Sequence, residues 1–155
     1  MAGCSPSSQP VTIVIPEYVP PLKAALVSVS FSPTSLRAGG SIIVTATVKN
    51  IGTQSAKIGV MGWVYSDGNW VLRRAELYAM SGFDGADYQG GRVGYMTLAP
   101  GDLRQVSMTS GPISQPGTYG VFVQAGVLNV LTYSTVSFVS DSSDARRYDN
   151  TVTVS

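Results

Sequence analysis

The chain contains no histidine. That removes Ser-His-Asp and Cys-His nucleophilic chemistry and histidine metal ligation together. Its single cysteine, Cys4, sits in a Ser/Pro-rich stretch with no neighbouring base to raise its thiolate fraction. Two carboxylates at a fixed separation run glycoside hydrolysis, but the nine acidic residues are scattered and no spacing pairs them. Asp84 and Asp87, in Gly82-Phe83-Asp84-Gly85-Ala86-Asp87-Tyr88, come nearest to an oxygen set for calcium. Their spacing is not that of an EF-hand loop, and Asp-Gly is ordinary turn chemistry, as are Asp141, Asp144 and Asp149. The expectation is a protein with no catalytic centre, no cofactor and no obligatory metal.

Binding chemistry is better represented. Trp63, Tyr65 and Trp70 crowd the middle of the chain together with Tyr78, Phe83, Tyr88 and Tyr95. An exposed aromatic strip would stack on sugar rings. The alternative, which the adjoining Gly-rich segment favours as a cover, is that these rings form a buried second face of a sheet. Net charge is +1 and dispersed, and Arg73-Arg74 and Arg146-Arg147 are too short to form a basic patch, so nucleic acid is not an expected partner.

The first 23 residues read as an extended arm broken by Pro6, Pro10, Pro16, Pro20 and Pro21. Within it lies an uncharged run, Val11-Thr12-Ile13-Val14-Ile15, followed by Tyr18. Such a strand must pair with something, and Val11, Ile13, Ile15 and Tyr18 are the candidate partner-binding residues. Ala2-Gly3-Cys4 is similar to the cleavage box of a bacterial lipoprotein, without the apolar stretch that would precede it. No apolar run approaches the ~20 residues of a membrane helix.

The elements that must position these groups are strands. The charged fraction is 12%, about half the usual value, and Ser, Thr, Val and Gly replace the Glu, Lys and Ala of helical proteins. From residue 24 the apolar period is two. Val27, Val29 and Phe31, then Ile42, Val44 and Val48, then Val121 and Val123, then Val152 and Val154 are expected to share one core. Residues 58–65 are apolar on both faces, as in a covered central strand. Ser66-Asp67-Gly68-Asn69 is a hairpin turn with residues 70–78 as the returning strand, and residues 81–91 read as a long surface loop. Ala99-Pro100-Gly101-Asp102 has the residues of a type II turn. Residues 127–139 read as a further strand or hairpin, residues 141–149 as a polar loop, and residues 151–154 as the last strand. The expected fold is all-β: an antiparallel sandwich over residues 24–155, of about seven to nine strands.

Several motifs together resemble the cell-adhesion-related (CARDB- and APHP-like) domains of bacteria and archaea. They are Phe31-Ser32-Pro33, Arg37-Ala38-Gly39-Gly40-Ser41, Lys49-Asn50-Ile51-Gly52-Thr53, Leu98-Ala99-Pro100-Gly101, Pro116-Gly117-Thr118-Tyr119 and Tyr148-Asp149-Asn150. The resemblance spans residues 25–155 and implies an immunoglobulin-like sandwich that presents surfaces, spaces domains or adheres. Asn50 and Gly52 would then turn the chain between sheets, and Tyr119 would be a corner residue with its hydroxyl on the backbone. The arm, residues 67–91 and residues 127–147 depart from the pattern and are where specific contacts are expected.

The functional expectation is a non-enzymatic assembly protein, forming homo-oligomers and attaching to a larger structure. A start at Met1 with no apolar leader favours a virion part, concretely a capsid decoration protein on the virion surface. A cell-surface or lipoprotein adhesion module of the extracellular face or cell envelope is the second reading. A carbohydrate-binding module is the third.

Overall fold

The computed structural model describes residues 19–155, so Cys4 and the arm candidates Val11, Ile13, Ile15 and Tyr18 lie outside the described residues. The strands are β1 (Ala24–Ser32), β2 (Ser35–Leu36), β3 (Ile43–Asn50), β4 (Ala56–Ser66), β5 (Arg73–Ser81), β6 (Gly85–Asp87), β7 (Val93–Leu98), β8 (Leu103–Ser110), β9 (Gly117–Leu131), β10 (Val136–Phe138) and β11 (Asp144–Val154). No helix occurs among the described residues. Eleven strands exceed the seven to nine expected because β2, β6 and β10, of two or three residues each, carry no readable alternation.

Two antiparallel layers face each other. One has the order β1-β3-β8-β5; the other runs β4-β9-β11, with β2 added in parallel at the end of β11. These are the A-B-E-D and C-F-G orders of an immunoglobulin-like sandwich. β5 belongs to both layers. Its first half pairs with β4 (Trp63↔Glu76, Val64↔Ala75), and from Leu77 onward it pairs with β8. β7 takes its place beside the first half of β4 and carries β6 on its far side. Between the layers lies one core, built from alternate residues of each strand: Val44, Ala46 and Val48; Ile58, Val60 and Val64; Leu77; Val106 and Met108; Val121, Val123 and Ala125; Val152 and Val154.

The corner residues act as the resemblance implies. Asn50 is fully buried, and its amide group donates to the carbonyls of Gln54 and Leu98 at 2.9 and 2.8 Å. Its Oδ1 accepts from Gly52 N–H. A Cβ on Gly52 would meet the Pro21 carbonyl oxygen at 2.4 Å, so only glycine lets residues 20–23 cross this turn. Tyr119, at the start of β9, has its ring in the core and donates its hydroxyl to the Gln115 carbonyl at 2.5 Å. Gly101, with φ +85°, occupies the left-handed position of the Ala99–Asp102 turn, which closes through Asp102 N–H to Ala99 O.

Three expectations are corrected. Val27 is not in the core: it is 49% exposed, because a bulge between Leu26 and Ser28 shifts the register on β3 by one. Ala24 and Leu26 point inward before the bulge, and Val29 and Phe31 do so, half-buried, after it. The polar segment 141–149 is not a loop: from Asp144 it pairs with β9 as one long strand with a second bulge between Tyr148 and Val152. Its inward positions are polar because they meet β1 rather than the apolar core. Leu26 N–H donates to Asp144 Oδ2 at 2.8 Å, and Arg146 Nη2 donates to the Leu26 carbonyl at 2.7 Å. The hairpin reading of residues 127–139 holds: β9 runs on to Leu131 and β10 returns antiparallel to it, with Val136 opposite Leu131. The segment 81–91 is not wholly loop, since β6 lies within it.

Candidate functional site

The outer face of the second layer carries the aromatic residues. Met61, Trp63 and Tyr65 alternate along β4 with the core residues Val60 and Val64, and so point away from the core. Phe122, opposite Trp63 on β9, joins them in a second apolar cluster. The sequence-derived alternative of burial holds for Trp63 and Tyr65 but not for Trp70, which is 38% exposed. The Gly-rich segment is not their cover; its Phe83 packs against the main core.

The cover is the β4–β5 hairpin. Asp67 and Gly68, at φ 60° and 63°, form the tight turn, closed by Asn69 N–H to Ser66 O at 3.1 Å. A second turn follows at once. Asn69 accepts Leu72 N–H on its carbonyl at 2.9 Å and Val71 N–H on its Oδ1 at 3.2 Å. The returning strand therefore begins at Arg73, not at Trp70 as the sequence suggests, and residues 70–72 protrude. Trp70 folds back onto the sheet, stacked on Trp63 with centroids 6.0 Å apart and on Phe122 at 5.2 Å. Trp63 packs on Phe122 at 4.4 Å and donates Nε1–H to the Trp70 carbonyl at 2.6 Å. The Arg73 guanidinium lies 3.7 Å from the Trp63 ring centre, and Arg73 also reaches Glu76 at 3.4 Å.

The tip is thus rigidly seated yet apolar and open to solvent: Val71 is 65% and Leu72 42% exposed. Below it a cleft of about 440 Å³ runs between Ser66, Asp67 and Arg74 on one side and residues 115–119 on the other. Arg74 is oriented there by Nε–H donation to Ser66 Oγ at 2.8 Å.

Tyr65 closes the face at its other side. Its ring lies flat over Gly120, where a Cβ would come within 2.4 Å of Cζ, and its hydroxyl donates to Asp149. Burial, reinforced by the Asp149 carboxylate, pushes the phenol up to about 12. The same bond, with Arg147 beside it, holds the Asp149 carboxyl below its ordinary value.

Asp84 and Asp87 do not form a common oxygen set. The Asp84 oxygens accept from Thr97 N–H at 2.9 Å and from Arg104 at 2.7 Å, and these bonds lower its pKa. Asp87 Oδ1 accepts from Tyr88 N–H. Asp84 thus ties loop 82–88 to β7 and β8, whereas the Asp87 bond is local to the loop. Among the described residues no three Asp, Glu, His or Cys side chains gather as a metal cluster.

No protein-family model matches this chain, and no curated protein does. Among solved structures, a CARDB domain from Pyrococcus furiosus, in complex with di-metal ions, is 14% identical, with 90% of this chain and 95% of that one covered at a TM-score of 0.46. The cupredoxin domain of amoB from Nitrosocaldus yellowstonii is 13% identical, with 85% and 86% covered at 0.45. A PapD-like domain of human CEP192 is 14% identical, with 92% and 93% covered at 0.40.

Proposed function

We propose that this chain is a non-catalytic contact module of a surface assembly, of the adhesion type, whose partner is a protein held by the β4–β5 hairpin tip. The observation that carries this is the exposed row Trp70, Val71 and Leu72, fixed from beneath by the Trp63–Phe122 stack. Aromatic and aliphatic anchors already held in place lose little entropy on docking, and such groups supply most of the energy of protein interfaces. Arg74 and Asp67 border the tip and give it a polar rim. The arm is a second contact element in this reading. Residues 20–23 lie at the end of the sandwich where Pro21 accepts from Thr53 and Gln54, while the tip lies at the opposite end, near the chain's exit, where Ser155 bonds Ala38. Two contacts at opposite ends make a bridging unit. A cell-envelope setting suits a bridge between surface components. A capsid decoration role uses the same two contacts and differs only in the partner.

The test compares intact protein with a variant carrying Trp70→Ala and Leu72→Ser for binding to isolated cell envelopes and to purified capsids. Binding to envelopes that falls by about tenfold or more in the variant is expected, since interface anchors of this kind are worth ~2 kcal/mol or more each. Equal binding by both forms overturns the reading. Trp70, with its ring partly open, also favours a second reading as a sugar-stacking platform. Tip-dependent binding to deproteinised envelope polysaccharide would transfer the function to carbohydrate.

A further inference from the structure

The outer edge of β1, the terminal strand of its layer, is closed over one half and open over the other. In the first half Ala24 N–H donates to Ser142 O at 2.9 Å, Leu26 N–H to Asp144, and Arg146 to the Leu26 carbonyl. Lys23 Nζ adds bonds to the carbonyls of Asp141 and Ser143 at 3.0 Å. The Ser142 carbonyl and the side chains of Asp144 and Arg146 thus replace a neighbouring strand. Beyond the bulge, residues 28–32 pair with β3 from Ser28↔Thr47 to Ser32↔Ile43, and no described group bonds to their other side. Native sheets guard such edges with lysine, proline or inward charge. Residues 28–32 are Ser-Val-Ser-Phe-Ser and carry none of these. Behind them Phe31 and Tyr148, both half-buried, meet edge to face at 5.5 Å and leave apolar surface at the rim between the layers.

We propose that this open edge receives the strand Val11-Thr12-Ile13-Val14-Ile15 of a second copy of the chain, by β-strand addition. The proposal rests on the reading of the chain as an assembly protein but not on the hairpin tip. The lengths agree, five residues against five, and neither segment carries a charge. Alternation sends Val11, Ile13 and Ile15 to one face; with Thr12 opposite Ser30 that face is the one of Val29 and Phe31, where they extend the apolar rim beside Phe31 and Tyr148 while the backbone completes the ladder. The copy's own arm is poorly placed. Its base is fixed where Lys23 and Pro21 carbonyls accept from residues 51–54, and a return to Ser28 must pass the half-edge that Asp144 and Arg146 occupy. The arm of a second copy meets no such obstacle.

The test uses the full chain with Cys4→Ser as background. Two singly substituted proteins, Thr12→Cys and Ser30→Cys, whose side chains share the face away from Phe31, are mixed and oxidised. A cross-linked heterodimer is expected, and adding Val11→Lys and Ile15→Lys to the first protein should abolish it. Without cysteines, sedimentation should show the intact chain associating with rising concentration, and the two lysines weakening association at least about tenfold. The described core is built from residues 22–154, so the lysine variants should keep their thermal transition. An intact chain that stays monomeric, or association indifferent to the lysines, overturns the proposal. A chain carrying both cysteines that closes on itself as a monomer overturns the second copy as occupant. Trp70→Ala should leave the cross-link intact; if it alone abolishes association, self-contact belongs to the tip and the edge proposal falls.

Discussion

Tyr65 shows how one side chain fixes its neighbours. Its ring is fully buried on the outer face of the second layer, it needs Gly120 beneath it, and its hydroxyl ends on Asp149. Gly120→Ala places a methyl group inside the ring, and overpacking of this kind costs ~1–3 kcal/mol or more; urea unfolding should show the loss, and Tyr65→Leu in the same chain should recover part of it. The raised phenol has a definite consequence with pH. Between the ordinary value near 10 and about 12 the unfolded chain releases the Tyr65 proton and the folded chain keeps it. Stability from this group is therefore full below pH 10 and drains as pH rises through that window. Asp149 acts at the other limit: its lowered pKa contributes above the ordinary carboxyl range and is lost as pH falls through the folded value. Tyr65→Phe should remove the alkaline dependence and weaken the acid one, which Arg147 still supports, and a tyrosinate absorbance titration should show one phenol fewer ionising late. An unchanged late phenol in that variant refutes the assignment. Tyr65 was legible in the sequence as an aromatic on a two-faced strand. Its partner Asp149 was not, because a bulge far along the chain decides where that carboxylate falls.

At the scale of elements, periodicity of two was readable wherever an inward position met the apolar core, as in β3 and β9. It failed where pairing is irregular or inward positions are polar. The bulge in β1 gives no composition signal, since Leu26, Val27 and Val29 are all apolar. Two substitutions discriminate. Leu26→Ala should cost ~2–5 kcal/mol, whereas Val27→Ala, at an exposed position, should stay within ~0.5 kcal/mol. The reverse order in chemical denaturation would mean that the strand is regular. β11 was hidden in the same way: Asp144 and Arg146 look like loop residues until they are seen to satisfy the amide and carbonyl of Leu26. The returning strand starts three residues later than the apolar alternation suggests because Asn69 builds a second turn on the first. That displacement is what converts Trp70 from a strand residue into a lid with exposed neighbours, so the most useful feature of the candidate site lay in turn chemistry rather than in the aromatic composition that drew attention to it.

For the whole molecule, the path of β5 decides how the layers depend on each other. One strand serves β4 in its first half and β8 in its second, and Leu77, fully buried, stands at the point of transfer. The two layers also share a single core, and β11 clasps the opposite margin through Leu26. Neither layer can lose its partner without exposing that core, so unfolding should be one cooperative event. The two tryptophans provide a local probe, since Trp63 lies on the outer face of the second layer and Trp70 is stacked over it. Far-ultraviolet circular dichroism reports both layers. Leu77→Ala should lower stability by ~2–5 kcal/mol, and the fluorescence and dichroism transitions should move together with a common midpoint and unchanged slope. If fluorescence instead held its midpoint while dichroism shifted, the second layer would be standing alone, and β5 would be a cover laid across two independent sheets rather than the strand that joins them.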